Sequence, residues 1–300
     1  MHAEMEKILK VHTVNDYARY IGAPELHPLV SVIHYDELEH CRHSLNNYDV
    51  YGMFLSDEPL PELVYGLMRY TMHRHTLMCV APGQVGGKTD TGEEIHVTGW
   101  ALLFDPQLLH GTDLGRRMQT YHFFTYNTSE ALPLGDEDRQ TLVDLFEQLR
   151  RELKTEDEHT QHIVVALLTQ VLEQCARFYA RNLSLKSEKS TDLLLRLENL
   201  LERYYREERQ LSLGQPTVRY CAQELFLSPG YFGDLIRQQT GDSATAYLRR
   251  FVMCRAQEML ASGSTVTETA DALGFNYAQH FSRTFKRHFG ISPSQFLKER

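Results

Sequence analysis

Apolar positions in the first 130 residues fall in short runs separated by turn material. LVSVIHY (29–35), DVYGMFL (49–55), LVYGLMRYTM (63–72), TLMCVAP (76–82), IHVTGWALLF (95–104) and MQTYHFFTY (118–126) are rich in β-branched and aromatic residues. DEPLP, PGQVGGKTDTG and GTDLG lie between them and break the chain into strands. Many short strands with Gly/Pro turns, and no helices alternating with them, predict a β-sandwich or jelly roll over about residues 28–127.

Near residue 135 the period changes. Leu142, Leu145, Phe146 and Leu149 recur at helical spacing. A second helix is predicted over about 159–181, with Ile163, Leu167, Val171, Cys175 and Phe178 on one face. Val164, Leu168, Leu172 and Tyr179 widen that face. So wide a stripe needs a partner, either the β-rich part or a second chain, and a homodimer is expected through 135–181. The polar stretch NLSLKSEKS reads as a linker at 182–190. From 191 the chain is nearly all helix. The expected organisation is a sheet domain over 1–134, a helical segment over 135–181, the linker, and an all-α domain over 191–300. The fold class is α+β with more than one domain.

The all-α part contains an internal repeat. Val218, Ala222 and Leu225 match Val266, Ala270 and Leu273 at an offset of 48, and Phe232, Ile236 and Gly241 match Phe281, Phe285 and Gly290 at an offset of 49. One residue is gained in the turn, after which the pattern resumes. Each copy predicts a short helix, a tight turn and a second helix, with a long helix over about 243–261 joining the copies. Ala222 and Ala270 are small where two helices must cross closely, and Gly274 suits a turn that needs positive φ. Ser228 is a ready N-cap and Pro229 suits the first helical position. This is helix-turn-helix geometry, and a helix held in this way fits the major groove of DNA. In the second copy Phe281 and Phe285 face the core, which turns Ala278, Gln279, Ser282, Arg283, Lys286 and Arg287 outward. Arg binds guanine O6/N7 bidentately and Gln binds adenine N6/N7. Lys286 and Arg287 can neutralise phosphates.

AQELFLSPGYFGDLIRQQTG and TVTETADALGFNYAQHFSRTFKRHFGISPSQF carry a family resemblance. Residues 191–300 resemble the C-terminal DNA-binding domain of the AraC/XylS family of bacterial regulators. The resemblance implies recognition helices at about 229–240 and 277–288. It points to Ser228, Gly230, Tyr231, Asp234 and Arg237 in the first unit, beside the six residues of the second, as the DNA-contacting set. It also implies double-stranded promoter DNA and RNA polymerase as partners. The first unit departs from a strong reader, because Gly230 and Gly233 read no bases and weaken the helix, and Asp234 repels phosphate. Leu297 stands where the family usually has arginine, and Phe251 and Val252 stand where it has an arginine in the joining helix. More weakly, APGQVGG and TGWALLFDPQLLHG resemble the cupin-like sensor domain of the same family.

Charge and composition change this picture little. The net charge is −9, yet residues 191–300 hold 14 Lys and Arg against 12 Asp and Glu, while the rest hold 17 against 28. The acidic surplus therefore lies outside the repeat. Five scattered cysteines without a C-x-x-C pair predict reduced, mostly buried thiols rather than a disulfide framework or zinc site. No run of 18 apolar residues and no apolar stretch behind MHAEMEKILK are present, so a cytoplasmic location and no membrane partner are expected. His73-Arg74-His75 followed by His110 is reminiscent of a cupin metal site, but no Glu follows His75 at four or five residues. No metal or other cofactor is expected, and no catalytic triad or phosphate-binding glycine loop occurs. An effector pocket in the sheet domain is expected to use Tyr65, Arg69, Tyr70, Trp100 and His110 around a mostly apolar lining. The expected function is an effector-responsive transcription activator, not an enzyme. The alternatives are a cupin-type metalloenzyme with a helical DNA-binding appendage and a DNA-repair methyl acceptor. The second needs a reactive cysteine cluster that the spacing does not supply.

Overall fold

The computed structural model describes residues 8–65, 68–126, 130–155, 157–188 and 191–298, with backbone alone at 61, 62, 64, 65, 68–70, 185–188, 191 and 192. Two compact units meet in sequence at Asn182/Leu183.

Among the described residues the first unit holds ten strands in two sheets. These are β1 (Ile8–Val11), β2 (Val30–His34), β3 (Leu45–Tyr48), β4 (Tyr51–Ser56), β5 (Leu60–Tyr65), β6 (Met68–Met72), β7 (Thr76–Val80), β8 (Gln84–Gly87), β9 (Gly99–Phe104) and β10 (Leu132–Pro133). One sheet runs β1-β3-β8-β5-β6 and the other β10-β7-β4-β9-β2. Among the described residues only β1 pairs in parallel, with β3; every other pairing is antiparallel. Val11, Tyr48, Leu63 and Met72 of the first sheet share one apolar cluster with Ile33, Phe54, Val80 and Leu103 of the second. The two sheets are thus the layers of a sandwich. All six residues of β9, GWALLF, are buried. Its other face is covered too, since Trp100 packs on Phe146 and Phe104 on Phe124. A strand covered on both faces has no solvent side, hence its unbroken apolar run.

Four helices complete this unit: α1 (Val14–Ile21), α2 (Asp113–Arg117), α3 (Asp136–Glu152) and α4 (Thr160–Glu188). Three sequence expectations change here. The run 118–126 is not a strand but two 3₁₀ turns, Met118–Thr120 and His122–Thr125. Phe123 and Phe124 are both buried and pack on each other with ring centroids 5.0 Å apart, whereas a strand would send neighbours to opposite faces. Phe123 stacks on Tyr179 of α4 at 5.0 Å. The strand expected from Ile95 begins only at Gly99; Ile95 makes an isolated bridge to Cys41. A Cβ on Gly99 would meet the Leu55 carbonyl oxygen at 2.1 Å, so this strand's entry requires glycine. Finally, residues 182–188, expected as linker, continue α4. NLSLKSE holds neither Pro nor Gly, and Leu, Lys and Glu favour helix, so polarity alone does not stop it.

By length and apolar character α4 is the one helix among the described residues that could cross a membrane. Its stripe is instead used within the single chain: Val164, Leu168, Val171, Leu172, Cys175, Phe178 and Tyr179 are all buried. Only the edge of the expected face, Ile163 at 41%, stays well exposed.

The second unit is helical: α5 (Thr191–Arg206), α6 (Gln210–Leu213), α7 (Val218–Glu224), α8 (Pro229–Thr240), α9 (Ala244–Ala261), α10 (Val266–Ala272), α11 (Ala278–Phe289) and α12 (Pro293–Lys298). Val252, Met253, Ala256 and Leu260 of α9 share a core with Ala270, Leu273, Phe275, Phe281 and Phe285, and with Tyr204 and Tyr205 of α5.

Candidate nucleic-acid interface

Each helix pair of the repeat is built from local signals. In the first, Thr217 caps α7 by accepting from the Tyr220 N–H at 3.1 Å. Ser228 caps α8 by accepting from the Tyr231 N–H at 3.2 Å, and Pro229 follows at the first helical position. In the second, Thr265 and Glu268 form a reciprocal capping box at the start of α10. Gly274 turns the chain with φ +76°, and a Cβ there would meet the Gly214 carbonyl carbon at 2.8 Å. Gly241 and Gly290 close α8 and α11 in the left-handed conformation.

α11 is anchored by Phe281 and Phe285, both fully buried and edge-to-face at 5.7 Å. That anchoring fixes the rotation of the helix. Gln279, Arg283, Lys286 and Arg287 are then exposed, while Ala278 and Ser282 are half-buried at the margin. Residues 279, 283 and 286 follow the three-to-four spacing of one helix face.

In α8 the expected set divides. Arg237 is exposed, and Gly230 and Asp234 are half-buried. Tyr231 and Ser228 are buried, which removes both from the expected DNA-contacting residues. Tyr231 packs inward with Phe232, Leu235 and Ile236, and the Ser228 hydroxyl is committed to its cap. Helix periodicity places 231 and 235 on the core side, so counting four residues from Phe232 alone underestimates the width of the buried face.

Between the two pairs runs a groove of about 540 Å³. Arg219 of α7, Arg249 of α9, and His280 and Arg287 of α11 line it, over a floor that includes Leu248, Val252 and Phe275. No carboxylate is among its lining residues. Repeat periodicity does not single out Arg219 or Arg249; their convergence is a product of how α7, α9 and α11 pack.

Of the expected effector residues, Trp100 and His110 are described with side chains and do not share a pocket. The side chains of Tyr65, Arg69 and Tyr70 lie outside the described ones. Trp100 is buried and stacks on His34 at 4.1 Å, while His110 is exposed beside a separate surface depression with Tyr51 and Pro106. Trp100 is thus a core residue beneath α3. A cavity of about 80 Å³ does lie between the sheets, lined by Tyr17, Tyr35, Asn46, Tyr48, Phe54 and Met72 among others. Some of its polar atoms bond to one another: Tyr17 and Tyr35 hydroxyls at 2.7 Å, Ser44 Oγ donating to Asn46 Oδ1 at 2.6 Å, and Asn46 Nδ2 donating to Tyr48 Oη at 2.9 Å, while His43 Nδ1 and Thr98 Oγ1 in the lining are buried without a hydrogen-bond partner among the described residues. Burial pushes the pKa of Tyr17, Tyr35 and Tyr48 up. His73 and His75 sit in the turn between β6 and β7 rather than on one strand face, His75 at φ +51° and 3.2 Å from Asp136. Among the five free cysteines, Cys41, Cys79, Cys175 and Cys221 are buried and Cys254 is exposed.

Comparison with known proteins bears on the second unit. A family model described as a helix-turn-helix domain matches residues 221–299. The uncharacterized transcriptional regulatory protein YesN of Bacillus subtilis is 32% identical over 93 residues, 29% of this chain and 25% of that protein. The HTH-type transcriptional activator RhaR of Pectobacterium carotovorum is 30% identical over 168 residues, 54% of this chain and 55% of that protein. The chain therefore spans a quarter to about half the length of these curated relatives. Among solved structures, the C-terminal domain of the two-component response regulator yesN from Fusobacterium nucleatum is 25% identical and covers 34% of this chain and 93% of its own, with a TM-score of 0.30. Residues 221–299 of this chain thus match a helix-turn-helix domain.

Proposed function

We propose that this chain is a sequence-specific DNA-binding regulator of transcription whose principal reader is α11. One observation carries this reading. Burial of Phe281 and Phe285 holds Gln279, Arg283, Lys286 and Arg287 together on the exposed side of a capped helix. Side chains so held can meet base edges and phosphates in a major groove. Residues 191–300 form the DNA-binding part and the sheet unit the regulatory part, with no catalytic step assigned to either. Activation is the favoured sign, supported by the activator named among the relatives. Double-stranded DNA and RNA polymerase are the proposed partners, in the cytoplasm.

A small-molecule effector is proposed for the sheet unit. The inter-sheet cavity supports only a small one: its 80 Å³ is well under the roughly 300–1,000 Å³ of drug-sized pockets. A homodimer is also proposed. Because the single chain already buries most of the α4 stripe, that contact has to use surface left exposed, beginning at Ile163. Site selection from random duplexes with the full chain tests the central reading. A recovered motif with strong base preference supports it, and recovery of unrelated sequences only overturns sequence specificity.

A further inference from the structure

We infer that the groove lined by Arg219, Arg249 and Arg287 is a seat for the DNA sugar–phosphate backbone, gripping the strand that passes between the two recognition helices. The inference rests on the proposed DNA-binding function and adds to it where the duplex backbone is held and by which residues.

Three observations carry it. The first is convergence: each arginine comes from a different helix, α7, α9 and α11, yet all line one groove. The second is that their charge is uncompensated. Among the described residues, none forms an ion pair or side-chain hydrogen bond with these three. Four other arginines of the same unit are engaged, Arg203 with Glu224, Arg209 with Glu207, Arg250 with Asp242 and Arg255 with Glu202, whereas the arginines left without an ion pair among the described residues include Arg283 and Arg237 on the exposed sides of the two recognition helices. Arg249 and Arg250 are neighbours in α9, and only Arg250 is neutralised. Three cations brought together without a carboxylate repel one another, which an anion in the groove relieves.

The third observation is orientation. On α11, His280, Thr284 and Arg287 face the groove. Gln279, Arg283 and Lys286 lie about 100° away around the helix axis, because each is one residue earlier. A duplex presenting base edges to Gln279 and Arg283 therefore carries backbone past Arg287. The far wall belongs to α7 of the first pair, so the groove lies where a strand must cross between two successive stretches of major groove. At about 540 Å³ it falls in the range, roughly 300–1,000 Å³, of pockets that hold whole molecules rather than single ions. That size fits a stretch of backbone better than one isolated phosphate.

The test uses the full chain and its Arg219→Gln, Arg249→Gln and Arg287→Gln variants, with Arg255→Gln as a control that removes an already paired charge. Binding to a selected site and to a scrambled duplex of equal length is followed by fluorescence anisotropy over a salt series. Each groove variant is expected to make the slope of log K against log salt less negative by about 0.9. Its affinity loss between about 50 and 200 mM salt then shrinks by about three- to fourfold. Both duplexes are affected equally, because a phosphate contact carries no sequence information, and the control leaves the slope unchanged. An unaltered slope in Arg249→Gln, or a loss confined to the selected site, overturns the backbone seat while leaving DNA binding intact. Saturable thermal stabilisation of the wild type by inorganic phosphate, lost when the three substitutions are combined, together with salt slopes unaltered in all three single variants, overturns it in favour of a free anion. Absence of duplex binding by the wild type at any salt overturns the DNA-binding reading itself.

Discussion

Phe226 holds φ +60° in the turn of the first helix pair while its side chain is 83% exposed. The equivalent turn residue of the second pair is Gly274, which takes φ +76° without strain. A left-handed aromatic residue costs roughly 1–2 kcal/mol, and exposed Phe226 recovers little by packing. Phe226→Gly is expected to leave stability unchanged or raise it by up to about 1 kcal/mol, the strain relief exceeding the added chain entropy. Gly274→Ala is expected to lower it by roughly 1–3 kcal/mol, since the new Cβ meets the backbone of Gly214 as well. Urea midpoints of the two variants check both signs. In the recognition helix, Arg283→Ala is expected to cost about 1–3 kcal/mol on the selected site and to relax preference at one base pair. Lys286→Ala weakens all duplexes alike. Competition binding against single-base variants separates the two, and equal behaviour of the two variants refutes the division of roles.

At the scale of elements, α4 shows why an apolar stripe does not by itself announce a second chain. Its core positions include Leu168 with no exposure, and Cys175 lies near Cys79 of β7, each thiol pushed up in pKa chiefly by burial. Leu168→Ala is therefore expected to destabilise the first unit by about 2–5 kcal/mol, and Ile163→Ala by about 0.5 kcal/mol or less. Denaturant titration distinguishes them. Ile163→Asp is the fitting test of the proposed dimer, because it leaves the core intact; a sedimentation profile identical to that of wild type argues against a contact at this edge. The run 118–126 teaches the complementary point. Its aromatic content suits a strand, yet Phe123, Phe124 and Tyr126 close against Tyr179 and neighbouring strands, and packing outweighs local propensity.

Over the whole molecule, the charge difference between the two parts and the compact division at residue 182/183 predict separable behaviour. A fragment spanning 183–300 is expected to fold and bind duplex DNA with steep salt dependence; a folded fragment that shows no binding at about 50 mM salt contradicts this. Alkaline pH acts on the first unit. Tyr17, Tyr35 and Tyr48 are buried there, with pKa raised first by desolvation. A raised folded-state pKa gives stability that is complete below the unfolded tyrosine value of about 10 and is lost as pH rises beyond it, since the unfolded chain then releases protons that the folded one keeps. The urea midpoint of this unit is expected to fall as pH rises above about 10, and an unchanged midpoint shows that these phenols are not buried in solution.

The sequence by itself determined the division into a sheet-rich part and a helical part, the tandem repeat, and the helices that matter most. The range 229–240 expected for the first recognition helix is that of α8, and 277–288 differs from α11 by one residue at each end. These features were readable because caps, glycine stops and apolar period are local: Ser228, Pro229, Gly241 and Gly290 act within a few residues of themselves. The outward set of α11 followed from the same periodicity. Tertiary structure alone decided the rest. It buried Tyr231 and Ser228, separated Trp100 from His110, carried α4 through a polar stretch, and brought Arg219 and Arg249 beside Arg287. Each of these depends on which distant surfaces meet, and a side chain's neighbours across a helix crossing leave no periodic trace in the chain that carries it.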